Sequence, residues 1–129
     1  MKKRYLLVSF AILTVLNCCK KNDHVPSTQE KILGKWKILR FVDINEATGA
    51  YLSAPYNGAP TDYAEYRADG KLYSYIAGQT DTFTYNIIND QTLVEKNITF
   101  QIRSLTDIEF TKSVYIPGTG HTRMEYLYK

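Results

Sequence analysis

The chain has 129 residues, enough for one domain, and a formal net charge of +3. That charge resides in Lys2, Lys3 and Arg4; beyond them acidic and basic residues balance and are interspersed, which excludes a nucleic-acid face built from clustered Lys and Arg. The 11 tyrosines beside a single Trp favour strands. The two cysteines, Cys18 and Cys19, are adjacent, so no disulfide framework is expected.

Lys2, Lys3 and Arg4 precede an apolar run from Tyr5 to Leu16. About 20 residues are needed to cross a bilayer comfortably, so this run is short for a span and has the layout of a secretory signal. The following Leu16-Asn17-Cys18-Cys19-Lys20 resembles a bacterial lipoprotein signal. In that family a cysteine becomes the new N-terminus and carries acyl chains such as palmitate. Cys19 fits best, with Leu16 three residues before it and Cys18 as the preceding small residue. Cys18 is the second choice, and an ordinary cleaved signal or single-pass anchor is the alternative. The resemblance implies signal peptide 1–18 and a membrane anchor through N-terminal acyl chains. Lys20, where Asp would mark inner-membrane retention, implies a cell-envelope location at the outer membrane, with the periplasmic or surface face open. Residues 19–31 are polar and read as a flexible tether, in which Ser27 or Thr28, followed by Glu30 or Lys31, is placed to cap one helical turn.

From residue 32 to residue 129 the pattern is alternation at period two between turn signals. Trp36, Ile38 and Arg40 share a face of the first strand, opposite Lys35, Lys37 and Leu39. Asp43 to Pro60 carries Gly49, Pro55, Gly58 and Pro60 and reads as a long loop; Tyr51, Leu52 and Tyr56 make it a candidate lid. Strands follow at Thr61–Arg67, Lys71–Ala77, Asp81–Ile88, Thr92–Glu95, Ile98–Arg103, Asp107–Thr111 and Thr122–Tyr128. Gly70, Gly78, Asn89-Asp90, Lys96-Asn97, Ser104–Thr106 and Pro117–Gly120 mark the turns. In the last strand Met124, Tyr126 and Tyr128 face one way and Arg123, Glu125 and Leu127 the other.

No connection is long enough for a crossover helix, so the predicted fold is all-β: eight antiparallel strands in up-and-down order, closed into a barrel with no free edge. At eight strands the interior is filled by side chains or holds one small ligand. Most segments are too short, and their polar faces too charged, for a membrane-spanning barrel.

Gly34-Lys35-Trp36 opening the first strand, the long first loop and the succession of hairpins resemble the lipocalin family, and within it the lipocalin-like lipoproteins of Bacteroidota. Gly34 and Trp36 match the motif at the closed base of that barrel. Thr106-Asp107 is similar to a motif between the sixth and seventh strands, with Ile108 in place of its Tyr. The family sets an arginine over the tryptophan from the end of the last strand; here Arg123 comes early in that strand and Lys129 is last.

No nucleophile elbow, metal-ligand set or cofactor motif stands out, and His24 and His121 read as solvated. The chain is therefore not expected to be an enzyme or to need a metal or cofactor. Tyr66, Tyr85, Phe100, Phe110, Met124 and Tyr126 are candidates for the interior. They either fill it or line a cavity for a small, partly apolar ligand. The alternative is a filled barrel acting as a protein-interaction module, an inhibitor of a secreted enzyme or an accessory subunit of an outer-membrane complex, through Tyr51, Leu52, Tyr56, Tyr115 and Ile116.

Overall fold

The computed structural model describes residues 24–129; the signal region with Cys18 and Cys19 lies outside the described residues. One short helix precedes nine strands: α1 (Thr28–Ile32), β1 (Gly34–Asn45), β2 (Tyr56–Asn57), β3 (Tyr63–Tyr66), β4 (Lys71–Ile76), β5 (Gln79–Asn89), β6 (Thr92–Glu95), β7 (Ile98–Leu105), β8 (Glu109–Ile116) and β9 (His121–Tyr128). From β3 to β9 each strand pairs antiparallel with the next. β1 closes the ring, pairing Gly34–Lys37 with β3 on one edge and Lys37–Asn45 with β9 on the other. β1 and β3–β9 thus form the expected eight-stranded, up-and-down closed barrel, while β2 is a two-residue strand added to the upper edge of β1.

The closed end is built around Trp36. Its ring is fully buried with Ile32, Tyr66, Leu93 and Phe110, lies 5.5 Å from Phe110 in a tilted arrangement, and donates its indole N–H to the Ile32 carbonyl at 2.7 Å. Buried indole N–H groups need such a partner. Lys129 Nζ sits 4.2 Å from the Trp36 ring centre and donates to the Leu33 carbonyl at 3.0 Å. A cation therefore covers the tryptophan, and Lys129 supplies it rather than Arg123.

Helix α1 is part of this base. Ser27 caps it in a reciprocal box: its hydroxyl accepts from the Glu30 amide, and Glu30 accepts from the Ser27 amide at 2.7 Å. The Ser27 amide, then His24 and the Ser27 hydroxyl, bring the Glu30 carboxyl down to about 2. Thr28 donates to Asp90 at 2.7 Å, and Ile32 is buried under the barrel. The single helical turn expected at the end of the 19–31 segment is present, with Ser27 as its cap and Glu30 as its partner, and it docks on the barrel.

Two strands differ in phase from the alternation read in the sequence, and β8 runs Glu109–Ile116 where Asp107–Thr111 was expected. β1 runs on to Asn45, and its register against β9 shifts between Ile38 and Arg40. That bulge inverts the phase: Phe41 takes the inner face after Ile38, while Arg40 turns to the other face and lies over the Tyr126 ring at 4.6 Å. In β9, Leu127 pairs with Ile38 and belongs to the core. Glu125 and Arg123 then share the inward phase, and Met124 and Tyr126 point the opposite way. Apolar content had favoured Met124 and Tyr126 for the interior; the register to β1 decides otherwise.

The Asp43–Pro60 loop is shorter than expected and pinned at its far end. Gly58 donates its amide to Leu39 O at 3.0 Å, and a Cβ at Gly58 would lie 2.1 Å from the Ile38 carbonyl oxygen. Asp62, buried, accepts from the Tyr56 hydroxyl, from the Ala59 amide at 2.9 Å and from the Ala77 amide at 3.2 Å. These bonds, Tyr56 first, hold the Asp62 carboxyl below its ordinary range. Gly58→Ala is accordingly expected to cost about 2 kcal/mol through overpacking, read as a lower urea midpoint. Gly49→Asn, with open space around its Cβ and a φ of +71° that Asn tolerates, should stay within about 0.5 kcal/mol of wild type. Equal effects of the two substitutions would contradict the close approach at Gly58.

Candidate functional site

Above the packed base the barrel is hollow. A cavity of about 300 Å³ opens toward the end that carries the β1–β3 connection and the Ala77-Gly78 and Lys96-Asn97 turns. Its apolar wall is formed chiefly by Ile38, Phe41, Leu72, Ile76, Phe83 and Phe100. A second hollow of about 330 Å³, under Tyr115–Pro117, shares Ile98, Phe100 and Glu125 with the first.

The floor of the cavity is charged. Lys112 follows Phe110 by two residues on β8 and Glu95 follows Leu93 by two on β6, so both face the interior whenever their apolar neighbours do. Glu125 on β9 is the cross-strand partner of Lys112. Lys112 Nζ lies 2.5 Å from each Glu95 oxygen and 3.2 Å from Glu125 Oε2. It is also 3.2 Å from the Tyr66 hydroxyl, which itself donates to Glu95 Oε1 at 2.5 Å. The ammonium rests 4.2 Å from the Phe100 ring centre. Burial disfavours the charged ammonium, but Glu125 and Glu95 outweigh it and hold the Lys112 pKa above its ordinary value. Burial, with the charge of Glu95 beside it, pushes the Tyr66 phenol well up. Lys112, Glu95 and Tyr66 are buried, and Glu125 is largely so.

Near the mouth Arg123 clamps Asp43 through two bonds of 2.8 and 3.0 Å, and the Asp43 carboxyl is lowered by that contact. Tyr56 stacks on Phe41 with ring centres 5.6 Å apart. Of the three candidate lid residues it alone turns onto the inner rim; Tyr51 and Leu52 are exposed on the outside.

The six residues proposed for the interior divide into three groups. Phe100 lines the cavity and Tyr66 contributes its hydroxyl to the floor. Phe110 and Tyr85 are inside but below the floor: Phe110 packs on Trp36, and Tyr85 packs edge-on to Tyr66 at 5.1 Å and donates to the Arg67 carbonyl at 2.8 Å. Met124 and Tyr126 are on the other face of β9. The Glu95–Lys112–Glu125 set was missed, although Phe110-Thr111-Lys112 and Leu93-Val94-Glu95 each carried the signal at i and i+2. Gly34 and Trp36 are at the base as expected. Among the described residues no group of three or more His, Cys, Asp or Glu side chains has metal-binding geometry. Compared with protein-family models and with curated proteins, the sequence matches none.

Both raised groups tie stability to alkaline pH. A folded-state pKa above the unfolded value, about 10.4 for Lys and about 10 for Tyr, gives a contribution that is complete below the unfolded value and lost as pH rises through the folded one. Urea midpoints are therefore expected to stay level from about pH 7 to about pH 9.5 and to fall above about pH 10. Lys112→Ala, which strands two carboxylates, should cost about 3–5 kcal/mol at neutral pH. A midpoint that rises above pH 10, or a silent Lys112→Ala, would contradict the buried pairing.

Proposed function

We propose that this is a binding protein for a small, partly apolar molecule, held in the barrel mouth and tethered to a membrane through acylated Cys19. The observation that carries the reading is the hollow upper half of the barrel over a polar floor. Pockets for small ligands run from about 300 Å³ upward, are mostly apolar and hold a few placed polar groups. This cavity has that make-up, and its volume accommodates about ten water-sized groups. An apolar floor would serve stability at least as well as a buried ion cluster, so the charged set is better accounted for by recognition than by packing. The reading is of binding, not catalysis. The chain joins the barrel at its closed base, through Ser27 and α1, so an anchor at Cys19, or at Cys18, leaves the mouth on the end away from the attachment. The outer membrane is the proposed location.

A second reading, a protein-interaction module, is favoured by one feature of the outer wall. Tyr115 pairs with Thr122, Thr122 with Ile44, and Ile44 with Tyr51, which forms a single row across the barrel. Tyr115 and Tyr51 at its ends are 50% and 57% exposed.

Purified full-length chain should release a bound small molecule on organic extraction, or take up an environment-sensitive apolar dye with a Kd in the micromolar range. Ile76→Trp, which fills the cavity wall, should lower uptake about tenfold or more while leaving the fold intact by circular dichroism. An unliganded protein that ignores the dye would overturn the binding reading. Envelope crosslinks that depend on Tyr51 and Tyr115 would then favour the second.

A further inference from the structure

Resting on that reading, we infer that the ligand this cavity selects carries a cationic amine, seated against Glu125. The buried charges at the cavity floor are Lys112 on one side and Glu95 and Glu125 on the other, an excess of one carboxylate, while Arg123 and Asp43 neutralise each other nearer the mouth. Lys96, the remaining cation of the cavity lining, is solvent-exposed at the mouth, 5.0 Å from the Phe83 ring centre.

The excess falls on Glu125. Arg123 is committed to Asp43 by two bonds. Lys112 has three N–H groups, and they are shared among Glu95 Oε1, Glu95 Oε2, the Tyr66 hydroxyl and the ion pair with Glu125 Oε2, so none is free. The Tyr66 hydroxyl proton is already directed to Glu95. Glu125 Oε1 has no hydrogen-bond partner among the described residues, and Glu125, with Ile98 and Phe100, lines both hollows.

A ligand entering from the mouth therefore finds an acceptor without a donor. A carboxylate or phosphate head at the floor would find the Lys112 N–H groups already engaged and would abut two carboxylates, leaving it only Lys96 at the mouth and the outer N–H groups of Arg123. An ammonium head restores neutrality and donates to Glu125 Oε1. The alkyl or aryl body of such an amine fits among Ile38, Phe41, Leu72, Ile76 and Phe83.

The test uses three ligands of one length: octylamine, octanol and octanoate. Each is titrated calorimetrically into the full chain in phosphatidylcholine nanodiscs at neutral pH, with empty nanodiscs as the blank. Octylamine is expected to bind about tenfold or more tightly than octanoate, with octanol between them. In Glu125→Gln the amine should fall to near parity with the alcohol. Octanoate binding most tightly, amine and alcohol binding equally to wild type, or an amine preference unchanged in Glu125→Gln would each overturn the inference while leaving a ligand-binding barrel in place. Failure of all three to bind would remove the binding reading and this inference with it. The comparison among ligands in the wild type stands even if Glu125→Gln does not fold.

Discussion

Everything in this barrel depends on β1 holding two partners at once. Gly34–Lys37 pairs with β3 and Lys37–Asn45 with β9, so one twelve-residue strand is the seam that abolishes both sheet edges. The bulge between Ile38 and Arg40 sits at the middle of the seam and lets the strand bend over the top of the barrel. Its inversion of phase brings Phe41 to the cavity wall, where Tyr56 stacks on it. Gly58 packs against the Ile38 carbonyl at the same place, so the bend and the loop that crosses it are one structural unit.

Below the bend the interior is solid. Trp36, Phe110, Tyr66 and Tyr85 form a chain of tilted and edge-on rings, with centres 5.1–5.9 Å apart, closed from beneath by Ile32 and Lys129. Offset and edge-on contacts of this kind suit aromatic quadrupoles. Above it the interior is hollow. Lys112, Glu95 and Glu125 mark the boundary, with Tyr66 joining the two halves: its ring belongs to the base and its hydroxyl to the ion cluster. This division accounts for a barrel that is both stable and open, because the aromatic half supplies the packing that the cavity gives up.

Fold and base were legible in the sequence because they rest on strong local signals. Alternation in Phe83–Ile87 and Ile98–Ile102, and the turn chemistry of Gly70 and Gly78, fixed strand order without tertiary information. Trp36 was legible because a single large ring on the first strand needs a buried site. The inner face of β9 was not. Met124, Tyr126 and Tyr128 are more apolar than Arg123 and Glu125, and a rule that turns apolar residues inward reads the strand backwards. What decides its phase is the pairing of Leu127 with Ile38 and of Glu125 with Lys112, a contact between strands that no single segment contains. The bulge at Leu39 is equally invisible, since one extra residue leaves composition unchanged while moving Arg40 to the other face.

The same blindness hid the charged floor. Placing Phe110 inside commits Lys112 to the inside as well, and placing Leu93 inside commits Glu95, because period two admits no exception without a bulge. A lysine and a glutamate at inward positions look like errors of phase when each strand is read alone. Taken together across the barrel they are mutual partners, and the burial that should expel each charge is what makes their attraction strong enough to retain it. An interior that carries charges in this way cannot be judged by the hydrophobicity of its strands. The test is whether the opposing strands supply the counter-charge, and here they supply one carboxylate more than the buried lysine requires.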